Sequence, residues 1–213
     1  GMSIYDSVIH AMTTISTGGF SNYNQSLAYF NSFQIEIVSI IFMIIGSLPF
    51  VLYLQFIHKQ KYSLIKDDQI KLFFIILIGI VCLTTFWLNT NQSKEIVTSF
   101  RIALFNITSI LTGTGYTSSN FSNWGSFGTV IMMIIMFIGG CAGSTTGGLK
   151  VFRFQILFKY INLHLKRMLK PHSVVVSQFN EKKVPDSTYE SVMIFFFLYI
   201  LTFSLSALLL SFS

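Results

Sequence analysis

Two short segments of this chain combine glycine with hydroxyl-bearing residues in the same order. The first glycine segment (residues 14–22) reads TISTGGFSN, and the second glycine segment (residues 110–118) reads ILTGTGYTS. Each follows an apolar stretch and precedes a polar loop and another apolar stretch. Glycine lets the backbone adopt positive φ and turn its carbonyl oxygens toward an axis. Such oxygens can replace the water shell of a cation, so the pair predicts a repeated pore-loop unit.

The central residues of each segment are the predicted ion ligands, in an arrangement typical of potassium-channel filters. Small residues let carbonyl oxygens approach a dehydrated ion, and hydroxyls tie the loop or add a ligand. The predicted filter residues are Thr17, Gly18, Gly19, Gly113, Thr114 and Gly115, flanked by Ser16, Phe20, Thr112 and Tyr116. The alternative is a pair of ordinary glycine-rich turns. The repeat argues against it, because FNSF at 30–33 and WGSF at 124–127 extend the similarity.

A third glycine-rich stretch follows the apolar run at residues 127–138 and reads GGCAGSTTGGLK from 139 to 150. Each glycine weakens a helix by about 1 kcal/mol relative to alanine. Irregular backbone at membrane depth persists only where it is packed in protein or lines a watery cavity. We therefore predict that residues 139–149 are non-helical and buried at membrane depth. The alternative is a patch of small residues that packs helices together.

The elements that must position these segments are apolar helices. The chain has 213 residues, of which 52% are hydrophobic and 10% are charged. Soluble domains carry about 25% charged residues, so the composition predicts an all-α membrane protein. Spanning helices are expected at 33–57, 72–88 and 191–212. The stretches at 3–15 and 95–111 are shorter than the roughly 20 residues that a span needs, and we predict half-crossing pore helices there.

Positive charge is concentrated in two segments of the chain. Twelve of the fourteen Lys and Arg residues lie at 59–71 or 150–183, which the positive-inside tendency assigns to the cytoplasm. This distribution accounts for the net charge of +6 without a nucleic-acid partner. Within it, residues 150–170 are predicted to form a basic amphipathic helix. Its charged residues are Lys159, Lys166, Arg167 and Lys170, and its apolar stripe is Phe152, Ile156 and Leu163.

The remaining reactive residue types form no recognisable catalytic pattern. Cys82 and Cys141 have no partner at metal-ligand spacing, and the carboxylates are dispersed. His10, on the first predicted pore helix, is expected to be a packing contact rather than a ligand. An enzyme and a covalently bound cofactor are therefore not expected. A membrane scaffold that transports nothing stays as the second functional hypothesis.

The stretch FIGGCAGSTTGGLKV at 137–151 resembles the signature of the TrkH/KtrB family of potassium-uptake proteins, and of TrkH members especially. Residues 115–124 and 10–21 also resemble that family, and the similarity covers essentially the whole chain. It implies K⁺ as the transported ion and repeated membrane helix–pore loop–membrane helix units around one pore. In family members serine at the filter glycine is associated with sodium, so Gly19 and Gly115 favour potassium over a sodium-conducting alternative.

The same resemblance implies the organisation of the chain and a gate. Residues 1–60 would be a second pore repeat without its first helix, 61–170 a third repeat, and 171–213 a linker and the first helix of a fourth repeat. The chain is accordingly expected to be an internal fragment of a longer protein. The implied gate residues are Gly139, Gly140, Gly143, Ser144, Thr145, Thr146, Gly147, Gly148 and Lys150. Lys150 could set the gate electrostatically or anchor the chain at the cytoplasmic interface.

The resemblance also implies the partners and the location of the protein. Family members form homodimers in the bacterial inner membrane and pair with a cytoplasmic nucleotide-binding subunit of the TrkA kind. The helix at 150–170 directly follows Lys150, so it is the expected contact of that subunit, whose movement would shift the gate. The alternative is that this helix lies on anionic lipid headgroups.

Overall fold

The computed structural model describes residues 1–58, 66–93, 95–169, 178–180 and 182–212. Its contacts separate two compact units, residues 1–151 and 152–213. The boundaries predicted at residues 60–61 and 170–171 lie outside the described residues. The division into three repeat-derived parts therefore stays a prediction.

Helices form nearly all of the described secondary structure. The helices up to the glycine-rich loop are α1 (Ile4–Ile15), α2 (Phe33–Ser47), α3 (Phe50–Ile57), α4 (Asp68–Gln92), α5 (Ile96–Leu111) and α6 (Gly125–Phe137). Short 3-10 helices occupy Ser26–Phe30 and Phe121–Trp124. The chain continues with α7 (Val151–Leu169), a hairpin of β1 (Gln178–Phe179) and β2 (Lys182–Lys183), and α8 (Asp186–Ser211).

Two lengths of helix are present, as the apolar runs predicted. The two helices α4 and α8, with 25 and 26 residues, are long and apolar enough to cross a bilayer. In contrast, α1 has 12 residues and α5 has 16, which is too short for a span. The side chains of Ser3 and Asp67 accept hydrogen bonds from the first free backbone N–H groups of α1 and α4. The expected half-length helices at 3–15 and 95–111 are therefore present.

The expected span at residues 33–57 is not one straight helix. It is divided into α2 and α3, which meet at an angle of 91°. Leu48, between them, is extended, with φ −89° and ψ 157°. The cause is Pro49, which donates no backbone hydrogen bond and disfavours helical conformation in the preceding residue. The bend leaves backbone groups near Gly46 and Ser47 without helical partners.

The core of the first unit is the interface between α4 and α5. One face of α4 is buried at intervals of four or seven residues, which is the helical repeat. It packs against the buried face of α5 and against α6. The buried residues of this interface include Phe73, Leu77, Val81, Leu88, Ala103, Ile107, Leu111 and Ile135. This packing fixes the end of α5, where the second glycine segment begins.

An ion pair joins α2 to α5. Arg101 Nε and Nη2 donate to the two carboxylate oxygens of Glu36 at 2.7 and 2.9 Å. The Glu36 side chain is 7% exposed and that of Arg101 34% exposed. The guanidinium group also lies 5.5 Å from the ring centroid of Phe33. A two-pronged, partly buried pair of this kind constrains both distance and orientation between the two helices.

The second unit has its own small apolar cluster, formed by α7, α8 and the residues before α8. Ile156, Val184, Tyr189 and Val192 are its buried members. Arg153 stacks on Phe195, with the guanidinium carbon 3.7 Å from the ring centroid. Only 6% of the most apolar window of α8 is buried. That much uncovered apolar surface fits a helix surrounded by lipid or by other membrane helices.

Candidate functional site

The first glycine segment begins where α1 ends. The N–H groups of Gly18 and Gly19 both point back to the carbonyl oxygen of Thr13, at 2.8 and 3.4 Å. Thr17 and Gly19 have positive φ values of 51° and 68°. Threonine rarely adopts this conformation because its Cβ crowds the backbone. The backbone at Thr17 is therefore strained and must be held by its surroundings.

The second glycine segment repeats this backbone arrangement at the end of α5. The N–H groups of Thr114 and Gly115 point back to Ser109 O at 2.9 and 3.2 Å. Gly113 and Gly115 have φ values of 70° and 89°. The backbone hydrogen bonds to Thr13 O and both positive φ values of the first segment thus have counterparts 96 positions later. The expected positive φ values at Gly19 and Gly115 are confirmed.

The two segments touch each other at Gly19. A methyl group placed on the Cα of Gly19 would overlap the carbonyl oxygen of Thr114. Only a residue without a side chain fits this close approach, independently of its positive φ. The structure therefore brings the two predicted filter segments together rather than leaving them as separate turns.

Tyr116 connects the second segment to α1, a contact that the sequence did not predict. The side chain is fully buried, and its hydroxyl lies 3.2 Å from Thr14 Oγ1 and 3.3 Å from His10 O. It also makes a short hydrogen bond with Thr13 Oγ1. The Thr13 hydroxyl in turn donates to Phe20 O at 3.0 Å. The sequence showed an aromatic residue at the corresponding place in each segment, Phe20 and Tyr116. It could not show which helix the Tyr116 hydroxyl would contact.

The polar residues of α1 hold the first glycine segment in place by hydrogen bonds and are not ligands of an ion. His10 Nδ1 lies 2.7 Å from Asp6 O and Nε2 lies 3.0 Å from Ser21 Oγ. Because a carbonyl only accepts, Nδ1 donates, and in the neutral ring Nε2 accepts from Ser21. His10 is thus a packing and hydrogen-bonding residue, as expected.

Asp6 ties the start of α1 to the loop after the first segment. Its carboxylate accepts from Ser3 at 2.7 Å and from Asn22 and Tyr23, each at 3.1 Å. Asp6 lies outside the candidate spanning helices. The hydrogen bond from Ser3, followed by that from Asn22, holds the pKa of Asp6 below its ordinary value. The carboxylate therefore stays ionised, and these hydrogen bonds persist, at neutral pH.

The glycine-rich loop (residues 139–149) leaves α6 and returns to the same point. Ile138 pairs with Leu149 in an isolated parallel bridge. Gly139 N donates to Leu149 O at 2.8 Å, and Val151 N donates to Gly140 O at 3.1 Å. No residue of the loop is helical, so the predicted break between α6 and α7 is confirmed. The expected burial of the whole loop is wrong, because Gly143, Thr145, Gly147 and Gly148 are exposed.

Thr146 is the centre of this loop. Its side chain is buried, and its hydroxyl accepts from Gly140 N at 3.0 Å and lies 2.8 Å from Ser144 Oγ. Lys150 Nζ donates to the same hydroxyl at 2.9 Å and also to the carbonyl oxygen of Thr146. The ammonium group of Lys150 is therefore a structural part of the loop. The electrostatic gate role and the interface-anchor role of Lys150 both stay predictions.

The glycine-rich loop fills the bend between α2 and α3. Thr145 N donates to Gly46 O at 3.1 Å, and Cys141 N donates to Ser47 O at 3.0 Å. In the opposite direction, Phe50 N donates to Gly143 O at 3.0 Å. The loop thus satisfies backbone groups that the broken helix leaves free, which permits irregular backbone inside a membrane protein. These hydrogen bonds join the bend to the loop. The sequence did not predict that the two contact each other.

The available ligands around the two glycine segments are neutral oxygens. Among the described residues, no three His, Cys, Asp or Glu side chains lie together as a metal site. Backbone carbonyls and threonine hydroxyls suit a monovalent cation that gives up its water, whereas Ca²⁺ and Mg²⁺ favour carboxylates. The chemistry of these oxygens therefore suits an alkali-metal ion better than a divalent cation.

Comparison with known proteins agrees with this interpretation. Residues 1–212 match the model of the TrkH family, described as cation transport proteins. The Trk system potassium uptake protein TrkI of Halomonas elongata is 37% identical over 99% of this chain and 43% of its own length. TrkH of Escherichia coli K12 is 32% identical over 98% of this chain and 44% of its own length.

A solved structure shows the same fold. The crystal structure of the potassium transporter TrkH from Vibrio parahaemolyticus has a TM-score of 0.90 and 31% identity, and the match covers 96% of this chain and 45% of that one. The predicted all-α membrane fold is thereby confirmed. The chain spans under half the length of these relatives. On the family match and the shared fold, the chain belongs to the TrkH family of cation transport proteins.

Proposed function

We propose that this chain contributes two pore-loop units to a protein that takes up potassium ions across a membrane. The observation that carries the proposal is the contact between two segments of similar backbone conformation, at Gly19 and Thr114. Convergence of repeated, glycine-containing loops on one place is what a shared ion path requires. The relatives are named as potassium uptake proteins, which supports potassium as the ion.

In this proposal the two glycine segments form part of the ion filter. Carbonyl oxygens of residues 17–19 and 113–115 face the ion, and the flanking residues hold the loops. The α1 and α5 helices end at the filter, so their partial negative charge adds to the attraction for a cation. Gly19 and Gly115 favour potassium over sodium.

The glycine-rich loop is the proposed gate of the same path. Its contact with the filter region supports this role, because Thr145 Oγ1 of the loop lies 3.3 Å from Thr17 Oγ1. Lys150 holds the loop closed on itself through Thr146. A loop without helical hydrogen bonds can move at small cost, and its hydrogen bonds to Gly46 and Ser47 define one of its positions.

The proposed setting is the bacterial inner membrane, with the protein acting as a homodimer and as a transporter rather than an enzyme. We further propose a cytoplasmic nucleotide-binding regulatory subunit as a partner of α7. The support is the basic, amphipathic character of this helix and its position directly after Lys150. Ile156 and Leu163 are buried, whereas Lys166 and Arg167 in the last turn of α7 are exposed.

The deciding experiment is substitution of Gly115 by serine in the full natural protein. Gly115 has φ 89°, so serine there is strained and shifts the carbonyl oxygens of the second segment. We expect wild-type protein to support potassium uptake in cells that lack their own systems, and Gly115→Ser to reduce the preference for potassium over sodium by about tenfold.

The matched control is Gly79→Ser, on α4, where a side chain meets nothing within 4 Å. It should leave uptake and ion preference unchanged. Absence of uptake by the wild-type protein would favour the scaffold alternative. Equal ion competition in wild type and Gly115→Ser, at equal protein level, would contradict the filter assignment.

A further inference from the structure

The glycine-rich loop makes a hydrogen-bonded junction with the first glycine segment through one side chain, Thr145. Its hydroxyl lies 3.2 Å from Ile15 O, the last residue of α1, and 3.0 Å from Gly46 O. Thr17 Oγ1 lies 3.3 Å from the same atom. One hydroxyl thus contacts the end of α1, a predicted filter residue and the end of α2.

Gly46 lies directly beside this junction. A methyl group on Gly46 would lie 3.2 Å from both Ile15 O and Thr145 Oγ1 and 3.4 Å from Thr17 Cγ2. Distances this short require the neighbours to move apart. The absence of a side chain at Gly46 is therefore what lets α1, the first glycine segment and the loop meet at one point.

Thr145 contacts two groups at the end of α1, Ile15 O and the side chain of Thr17, whose hydroxyl also donates to Ser16 O at 2.8 Å. Ile15 O is one of the carbonyls at a helix end that receive no N–H group from the helix itself. Thr17, with φ 51°, keeps a conformation that its own side chain disfavours. A movement of the loop that removes Thr145 leaves both groups without this support.

We propose that Thr145 is a positioning residue that makes the shape of the first glycine segment depend on the position of the glycine-rich loop. The loop then controls which ion passes as well as whether ions pass. With the loop in the position described here, Thr17 and the carbonyl oxygens beside it are held. When the loop moves, the segment relaxes and loses its preference among alkali-metal ions. The inference rests on the proposed function.

The test compares Thr145→Val with Thr145→Ser in the full natural protein. Valine keeps the volume of threonine and removes the hydroxyl, whereas serine keeps the hydroxyl. We expect Thr145→Val to reduce the preference for potassium over sodium by roughly fivefold, as the loss of about one hydrogen bond implies. Thr145→Ser should retain the wild-type ratio. The readout is competition of sodium with potassium uptake at equal protein level.

Thr129→Val is the matched control, because Thr129 is exposed on α6 and its hydroxyl bonds within its own helix. Should Thr145→Val fail to reach the membrane, Gly46→Ala provides the second variant, since its methyl group pushes Thr145 away from Ile15. Unchanged ion preference in the variant that reaches the membrane would overturn the inference, even if flux falls, because a role limited to loop packing changes flux alone. Absence of uptake by wild type would instead overturn the proposed function.

Discussion

At the scale of single residues, the candidate filter depends on backbone conformation more than on side-chain chemistry. Thr17, Gly19, Gly113 and Gly115 all have positive φ. Three of the four are glycine, which reaches this region at little cost. The fourth, Thr17, is the one whose side chain meets the glycine-rich loop. The contact of Thr17 with the glycine-rich loop can therefore stabilise the strained backbone at this position.

Gly19→Ala is predicted to abolish ion preference. The added methyl group overlaps Thr114 O, and alanine at φ 68° costs about 1–2 kcal/mol by itself. The two glycine segments must separate to accommodate it. Potassium uptake measured against sodium, at matched protein level, reports the effect. Gly79→Ala, which adds the same group where nothing lies within 4 Å, is the control. Equal behaviour of the two variants would show that the close approach at Gly19 does not matter for transport.

At the scale of elements, α2 is tied to the next pore-loop unit in two places. Near its start Glu36 binds Arg101 of α5 with two hydrogen bonds. At its end Gly46 and Ser47 bind the glycine-rich loop. The first contact is electrostatic and the second uses backbone groups freed by the bend at Pro49. Together they fix where α5 and the loop lie relative to α2.

Glu36→Gln is predicted to lower the stability of the protein by roughly 2 kcal/mol. It removes the charge that accepts two hydrogen bonds from Arg101 and leaves that guanidinium partly buried without its counter-ion. The thermal midpoint of the detergent-solubilised protein is the measurement.

Lys71→Gln is the control for that experiment. Lys71 and Asp68 are 3.8 Å apart, with side chains 53% and 40% exposed, and exposed pairs contribute about 0–1 kcal/mol. The thermal midpoint of Lys71→Gln should stay close to that of the wild-type protein. If both variants melt at the same temperature, the link between α2 and α5 contributes no special stability.

At the scale of the whole molecule, the chain corresponds to under half the length of its relatives. It spans 43–45% of the length of the relatives cited here. Large apolar residues remain exposed along α2, α3 and α8. Surfaces of this kind are covered by lipid or by further helices in a membrane protein.

Combined substitution of Lys166, Arg167 and Lys170 by glutamine is predicted to weaken binding of the nucleotide-binding subunit by roughly tenfold, at about 0.5 kcal/mol for each charge. Lys170 itself lies outside the described residues. Pull-down of the subunit and nucleotide-dependent uptake in the full natural protein are the measurements. The control is substitution of Lys182 and Lys183, the basic residues of β2, by glutamine. Intact binding and regulation in the triple variant would favour the lipid-anchor alternative for α7.

The sequence by itself determined the local features of this protein. Glycine content and hydroxyl residues marked the two segments and the loop, because backbone preferences are properties of a few neighbouring residues. The length of the apolar runs separated α1 and α5 from α4 and α8, because the thickness of a bilayer sets the length of a span. Residues 33–57 were expected as one span; Pro49 is the local cause of the break, but neither the angle nor what fills it could be predicted.

Only the tertiary structure decided which of these features meet. Glu36 and Arg101 are 65 positions apart, and Thr17 and Thr145 are 128 apart. Burial of apolar surface is non-directional, so an apolar pattern shows that a helix face is covered but not by which partner. Hydrogen bonds are directional and need atoms within about 3 Å, so partners are set only once the helices have packed. The contact of Gly19 with Thr114 and the junction at Thr145 therefore follow from how α1, α2, α5 and the loop pack in three dimensions.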